Sequence, residues 1–128
     1  PVIEVVCAVI RSEEGILLCR RAEGAHLAGH WEFPGGKVEE GEDPREALAR
    51  EIREELACEV RVGSALRAVE HSYPEIAIRL QPFACTISSG QPEALEHAEI
   101  GWYSPEGVGA LGLAGADREV WERIKVQL

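Results

Sequence analysis

Gly36-Lys37-Val38-Glu39-Glu40-Gly41-Glu42-Asp43-Pro44-Arg45-Glu46-Ala47-Leu48-Ala49-Arg50-Glu51-Ile52-Arg53-Glu54-Glu55-Leu56-Ala57-Cys58 passes from loop to helix and ends in a turn. Asp43 is suited to accept hydrogen bonds from the first free amides of a helix. Pro44 fits the first helical position, where its missing N–H would have no partner in any case. Ala47, Leu48, Ile52 and Leu56 recur at helical spacing, which predicts a helix ending near Ala57. On it Glu51, Glu54 and Glu55 stand at i, i+3 and i+4, so three carboxylates leave nearly one face. Beside an apolar stripe such a cluster repels itself unless a hard cation neutralises it, and carboxylate oxygens are the ligands Mg²⁺ and Mn²⁺ prefer. A solvated acidic face relieved by Arg50 and Arg53 has the same spacing.

Upstream, Val5-Val6-Cys7-Ala8-Val9-Ile10 is a continuous apolar run, and Glu13-Glu14-Gly15 turns the chain into Ile16-Leu17-Leu18-Cys19. Two such runs predict a hairpin with at least one buried strand. Residues 20–34 hold His26, Gly29, His30, Trp31 and Phe33 without a period and read as a loop, after which Gly35-Gly36 is expected to break regular structure. Downstream, residues 59–62, 65–69, 76–80 and 83–87 alternate or cluster like strands, punctuated by Gly63, Pro74, Pro82 and Ser88-Ser89-Gly90. Residues 100–103 add a short strand, Ser104-Pro105-Glu106 opens a short helix, and residues 117–126 carry Val120, Trp121 and Ile124 at helical spacing. The sum is an α/β chain with a mixed sheet.

At 128 residues, one domain spanning 1–128 is expected. Apolar residues at 45% and charged residues at 28% are the balance of a globular chain. No run approaches the length of a membrane span, and Pro1-Val2-Ile3-Glu4 has neither a basic segment nor a cleavage pattern, so a cytoplasmic location is expected. The four cysteines form no C-x-x-C pair and read as buried free thiols. A net charge of −10 without a basic run argues against polymeric nucleic acid as a partner. A phosphate ligand must then be met by isolated Lys or Arg residues together with divalent metal.

Gly36, Glu42 and the run Arg50-Glu51-Ile52-Arg53-Glu54-Glu55 resemble the Nudix box almost position for position. With roughly 6% usage per residue type, six specified positions coincide by chance on the order of once in ten million starts. Two residues depart from the pattern: Ala57 where the family has glycine, and Cys58 where it has an aliphatic residue. Alanine adopts a left-handed helix cap less easily than glycine. The resemblance implies an α/β/α sandwich with a loop-helix-loop catalytic motif. It also implies metal ligands at Glu51, Glu54, Glu55 and the carbonyl of Gly36, and hydrolysis at phosphorus. Glu54 and Glu51 are the candidates for general base, with Glu54 preferred. Arg50 reads as the orienting partner of a box carboxylate, and Glu42 as structural.

His30-Trp31-Glu32-Phe33-Pro34-Gly35-Gly36-Lys37 is similar to the MutT-type nucleoside triphosphate pyrophosphohydrolases. Glu96, six residues before Trp102, matches the metal-binding loop glutamate of that group, with Glu99 as its competitor. Asp117 stands where MutT-like enzymes read the base edge. A carboxylate accepts from an exocyclic amine, which favours a cytosine-type base, and Asp117 is equally suited to cap the last helix. Leu113-Ala114-Gly115-Ala116-Asp117, with Trp102-Tyr103-Ser104-Pro105-Glu106 before it, resembles the CTP pyrophosphohydrolase branch, whose members also take modified cytosine and some oxidised guanine nucleotides. Lys37 and Arg20 rank first as phosphate ligands and Arg21 reads as surface charge. His26 and Phe33 are candidates to flank the base, and His30, His71 and His97 carry no catalytic assignment.

The resemblance thus implies a Mg²⁺-dependent enzyme, with Mn²⁺ as a substitute, acting as monomer or homodimer on CTP-like or 8-oxo-dGTP substrates in the nucleotide pool. ADP-ribose, a nucleotide sugar or a dinucleoside polyphosphate would change the substrate and keep the chemistry. A non-catalytic nucleotide-sensing module would keep only the fold.

Overall fold

In a computed structural model, which describes residues 1–127, strand β1 (Val2–Ser12) runs through the middle of the molecule. Its central residues are buried on both faces, which is why the sequence there is continuously apolar rather than alternating. Val6, Ala8 and Ile10 pack against Ala47, Leu48, Ile52 and Leu56 of helix α1 (Pro44–Leu56). Cys7 and Val9 face the other way, towards Val108 of α2 (Pro105–Ala110) and Ala116, Val120, Trp121 and Ile124 of α3 (Gly115–Ile124). A mixed sheet therefore lies between helices on both sides. A short 3₁₀ turn, Lys125–Gln127, follows α3.

β1 meets β2 (Gly15–Arg20) antiparallel through the Glu13-Glu14 turn, and β7 (Ala77–Ser89) parallel from Val2↔Ala77 to Ile10↔Cys85. β5 (Glu59–Ala65) and β6 (Val69–Ser72) both pair antiparallel with β7, while β3 (Trp31–Glu32) and β8 (Glu99–Tyr103) extend the sheet from β2. All four cysteines are buried and free. Among the described residues no helix is long and apolar enough to cross a membrane.

Three expectations are corrected here. Gly35-Gly36 does not break the sheet: Gly35–Lys37 forms β4, antiparallel to β1 at Cys7↔Gly35, Val6↔Gly36 and Val5↔Lys37. The glycines allow it, since a Cβ on Gly35 would lie 2.0 Å from the Val6 carbonyl oxygen. Pro82 does not separate two strands, because its missing N–H falls opposite the step from β5 to β6. There Leu66 N–H donates to Pro82 O at 2.9 Å, and the Gln81 side-chain amide donates to Leu66 O at 2.7 Å in place of the absent proline donor. That step occupies residues 66–68, so the strand expected over 65–69 is the end of β5, a crossing and the start of β6.

Candidate active site

The box helix begins as its sequence dictates, with Asp43 accepting from Arg45 N–H at 3.0 Å and Glu46 N–H at 3.2 Å. It ends at Ala57 in the left-handed region, φ 56°, where the N–H closes on Arg53 O at 3.1 Å. Between these caps the three carboxylates meet different surroundings. Glu55 is buried, and its Oε1 has no hydrogen-bond partner among the described residues. Burial, and then the negative charges of Glu51, Glu32 and Glu96, push its carboxyl up to about 9. Glu51 is also raised, first by burial, with Arg50 pulling the other way. Glu54 is half exposed on the same face.

Arg50 organises this face. Its Nε and Nη2 donate to the two oxygens of Glu42 at 2.8 and 3.0 Å, and Nη1 donates to Glu51 at 3.0 Å and Glu54 at 3.3 Å. Nη2 also reaches Lys37 O at 3.3 Å, tying the helix to β4. β4 approaches so closely that a Cβ on Gly36 would stand 1.9 Å from Glu51 Oε2. Glycine at position 36 is what lets the carboxylate lie against the strand.

A cavity of about 530 Å³ opens beside this cluster. Its polar lining includes Lys37, Glu55, Glu96 and Asp117, with Gly35 and Gly36 beside them, and its apolar lining includes Cys7, Phe33, Tyr73, Ile78 and Leu80. His26 also lines it, edge-on to Tyr73 at 5.1 Å between ring centroids. Asp117 does not cap α3. The helix starts two residues earlier, Ala114 holds the cap position, and the Tyr73 hydroxyl accepts from Ala116 N–H at 2.9 Å. Asp117 instead turns inward, where Oδ1 accepts from Phe33 N–H at 2.9 Å. Burial and the charge of Glu32 raise its carboxyl well above the usual range.

Of the two arginines, Arg21 and not Arg20 lines the cavity. Arg20 lies on β2 and pairs with Glu99 at 3.1 Å, away from the cavity lining. Arg21, one residue further and past the end of the strand, turns into the wall and donates to Glu32 Oε1 at 2.6 Å and to the His26 carbonyl. Glu96 lines the cavity and Glu99 does not. Sequence reasoning also missed His97 and Glu32, whose side chains meet at 2.8 Å in the cavity wall. The adjacency of His97 to Glu96 was the one available signal. His30 Nδ1 lies 3.2 Å from the Leu27 carbonyl, and His71 pairs with Glu119.

The family described as NUDIX domain matches residues 5–123. The chain belongs to the Nudix family. This Nudix chain is 41% identical over 115 residues to the CTP pyrophosphohydrolase of Escherichia coli K12, covering 90% of this chain and 85% of that one. It is 32% identical over 124 residues to the 8-oxo-dGTP diphosphatase of the same organism, covering 96% of each. Among solved structures, the E. coli ORF135 protein superposes with a TM-score of 0.83 at 38% identity, covering 98% of this chain and 89% of that one. The MutT protein from Methanosarcina mazei Go1 gives 0.87 at 32%, covering 99% and 95%.

Among the described residues no three His, Cys, Asp or Glu side chains close into a ready cation cage. The donor set nonetheless fits a hard divalent ion: a buried carboxylate oxygen without a partner, a cluster whose members raise one another, and a strand cradled against it by glycine.

Proposed function

We propose that this Nudix chain is a metal-dependent pyrophosphohydrolase that cleaves nucleoside triphosphates, CTP-like or 8-oxo-dGTP, to monophosphate and pyrophosphate. The observation that carries the reading is the lining of the cavity, which brings the box carboxylate Glu55, Glu96 and Lys37 together with apolar side chains and the buried carboxyl of Asp117. A triphosphate and its base need those two surroundings in one cavity.

Glu51, Glu54, Glu55, Glu96 and the Gly36 carbonyl would hold Mg²⁺, or Mn²⁺ in its place. When bound, such an ion neutralises polyphosphate charge and makes water more acidic. Lys37 meets phosphate oxygens at the cavity mouth. Water attacks phosphorus, the anhydride P–O bond breaks, and a carboxylate takes the proton of the water. Glu54 is preferred as that base over Glu51, because its half-exposed carboxylate is the more accessible to solvent water. Arg50 orients both through Nη1.

Phe33, Tyr73 and His26 flank the base, and Asp117 reads its edge. The raised carboxyl of Asp117 alters the argument from sequence: in its protonated form it donates as well as accepts. A cytosine amine and an oxidised guanine edge both find a partner there.

Pyrophosphate release with Mg²⁺ across CTP, dCTP, 5-methyl-dCTP, 8-oxo-dGTP, dGTP, ADP-ribose and a dinucleoside tetraphosphate tests the reading. Turnover of the cytosine or oxidised guanine triphosphates, abolished in Glu54→Gln and Glu55→Gln at saturating Mg²⁺, is expected. Activity confined to ADP-ribose or the dinucleotide, seen as monophosphate release, overturns it.

A further inference from the structure

Residues 93–98 run from the C-terminal end of α1 to β8. Glu93 N–H donates to Leu56 O at 2.9 Å and Leu95 N–H to Glu55 O at 3.2 Å; beyond them, Ala98 N–H donates to Arg20 O at 2.9 Å. Glu96 and His97 occupy the span between these anchors. Glu96 is exposed and faces the like charges of Glu51 and Glu55, so repulsion pushes it outward unless something holds the span.

His97 is the side chain that holds it. It is only 7% exposed, and its Nε2 lies 2.8 Å from Glu32 Oε2. The other Glu32 oxygen accepts from Arg21 Nη1 at 2.6 Å, so the anchor is itself fixed on both oxygens. A carboxylate oxygen accepts, which places a hydrogen on Nε2. The ring's Nδ1 is buried without a partner among the described residues. A leucine of similar bulk would avoid the unpaired ring nitrogen, so the imidazole is explained by the bond that Nε2 makes.

We propose that His97 is a positioning residue that, tied to the Arg21–Glu32 pair, holds the neighbouring Glu96 at the box carboxylates and thereby sets how tightly the site takes a divalent cation. The inference rests on the reading of Glu96 as a ligand. It goes beyond that reading by making cation affinity depend on a bond among three residues that touch no cation.

Mn²⁺ binding to the whole chain without nucleotide, followed by the electron paramagnetic resonance of free Mn²⁺, tests it. His97→Leu and Glu32→Ala each cut the same bond and are expected to weaken binding about tenfold, as loss of a ligand's supporting hydrogen bond does. The double variant is expected to be no weaker than either single one. His97→Gln, whose amide nitrogen reaches the place of Nε2, is expected to restore most of the affinity. If His97→Leu does not fold, Glu32→Ala and His97→Gln carry the comparison. Glu96→Gln separates the two readings. Weakened binding in Glu96→Gln with full binding in folded His97→Leu or Glu32→Ala overturns the role of His97 alone. Full binding in Glu96→Gln overturns both. A lowered melting temperature in His97→Leu with unchanged Mn²⁺ affinity marks a purely structural residue and also overturns the proposal.

Discussion

The backbone N–H of Phe33 donates to Asp117 Oδ1 at 2.9 Å, joining the strand side of the cavity to the first turn of α3 across 84 residues of sequence. Asp117→Asn keeps an acceptor for Phe33 and replaces the second oxygen by an amide NH₂, which only donates. Stability should change little, while the ratio of kcat/KM for CTP to that for 8-oxo-dGTP should shift about tenfold, the worth of one buried hydrogen bond. An unchanged ratio removes Asp117 from base recognition.

Glu55 makes stability depend on pH. Its folded carboxyl is raised to about 9, well above the ordinary glutamate value, so folding favours the protonated form. That stabilisation is complete below the unfolded value and is lost as pH rises towards 9. Without divalent cation the melting temperature should therefore fall through neutral pH into the alkaline range. Glu55→Gln should flatten the slope, and Mg²⁺, which favours the ionised form, should oppose it. Thermal melts from pH 5 to 9 with and without Mg²⁺ are the measurement.

Arg50 donates to three carboxylates and one carbonyl in a planar fork that a lysine does not reproduce. Arg50→Lys should keep the fold with a lowered melting temperature. With Glu51 and Glu54 no longer oriented, kcat should drop about 100-fold, the scale of a misplacement near 1 Å. A kcat within a factor of two of wild type would show that the arginine serves only stability.

Neighbouring glycines should fail differently. Gly35→Ala drives a Cβ into the rigid Val6 carbonyl and should destabilise the chain by about 3 kcal/mol or more, as overpacking against backbone does. In Gly36→Ala the obstacle is the end of the Glu51 side chain, which can swing away. That variant should melt near the wild-type temperature and lose most of its turnover. Equal melting temperatures for the two variants would contradict this account.

Ala57 caps α1 in the left-handed region, where a Cβ is strained, and its side chain is exposed. Ala57→Gly should raise stability by about 1 kcal/mol, seen as a few degrees in the melting temperature, without altering kcat. A lower melting temperature would mean that the added freedom of glycine in the unfolded chain outweighs the relieved strain.

How much was legible follows from how local each signal is. Asp43, Pro44 and the apolar spacing of α1 act within one or two turns, so the helix could be placed almost to the residue. Pro82 could not be read as strand interior, because the Gln81 amide that replaces its donor is recognisable only once Leu66 lies opposite. Asp117 satisfied a local capping rule and obeyed a distant bond instead. Arg20 and Arg21 are adjacent and alike in sequence, and the end of β2 decides which one turns into the cavity.

By itself the sequence determined the family, the box helix and the presence of a carboxylate face, since these depend on residue identities at short fixed spacings. Only the tertiary structure decided that Glu55 is buried while Glu54 is not, that Asp117 faces inward, and that His97 meets Glu32 across 65 residues. Burial and long-range pairing are properties of the packed chain: the desolvation that raises a carboxyl and the bond that holds a loop exist only when segments distant in sequence share one wall.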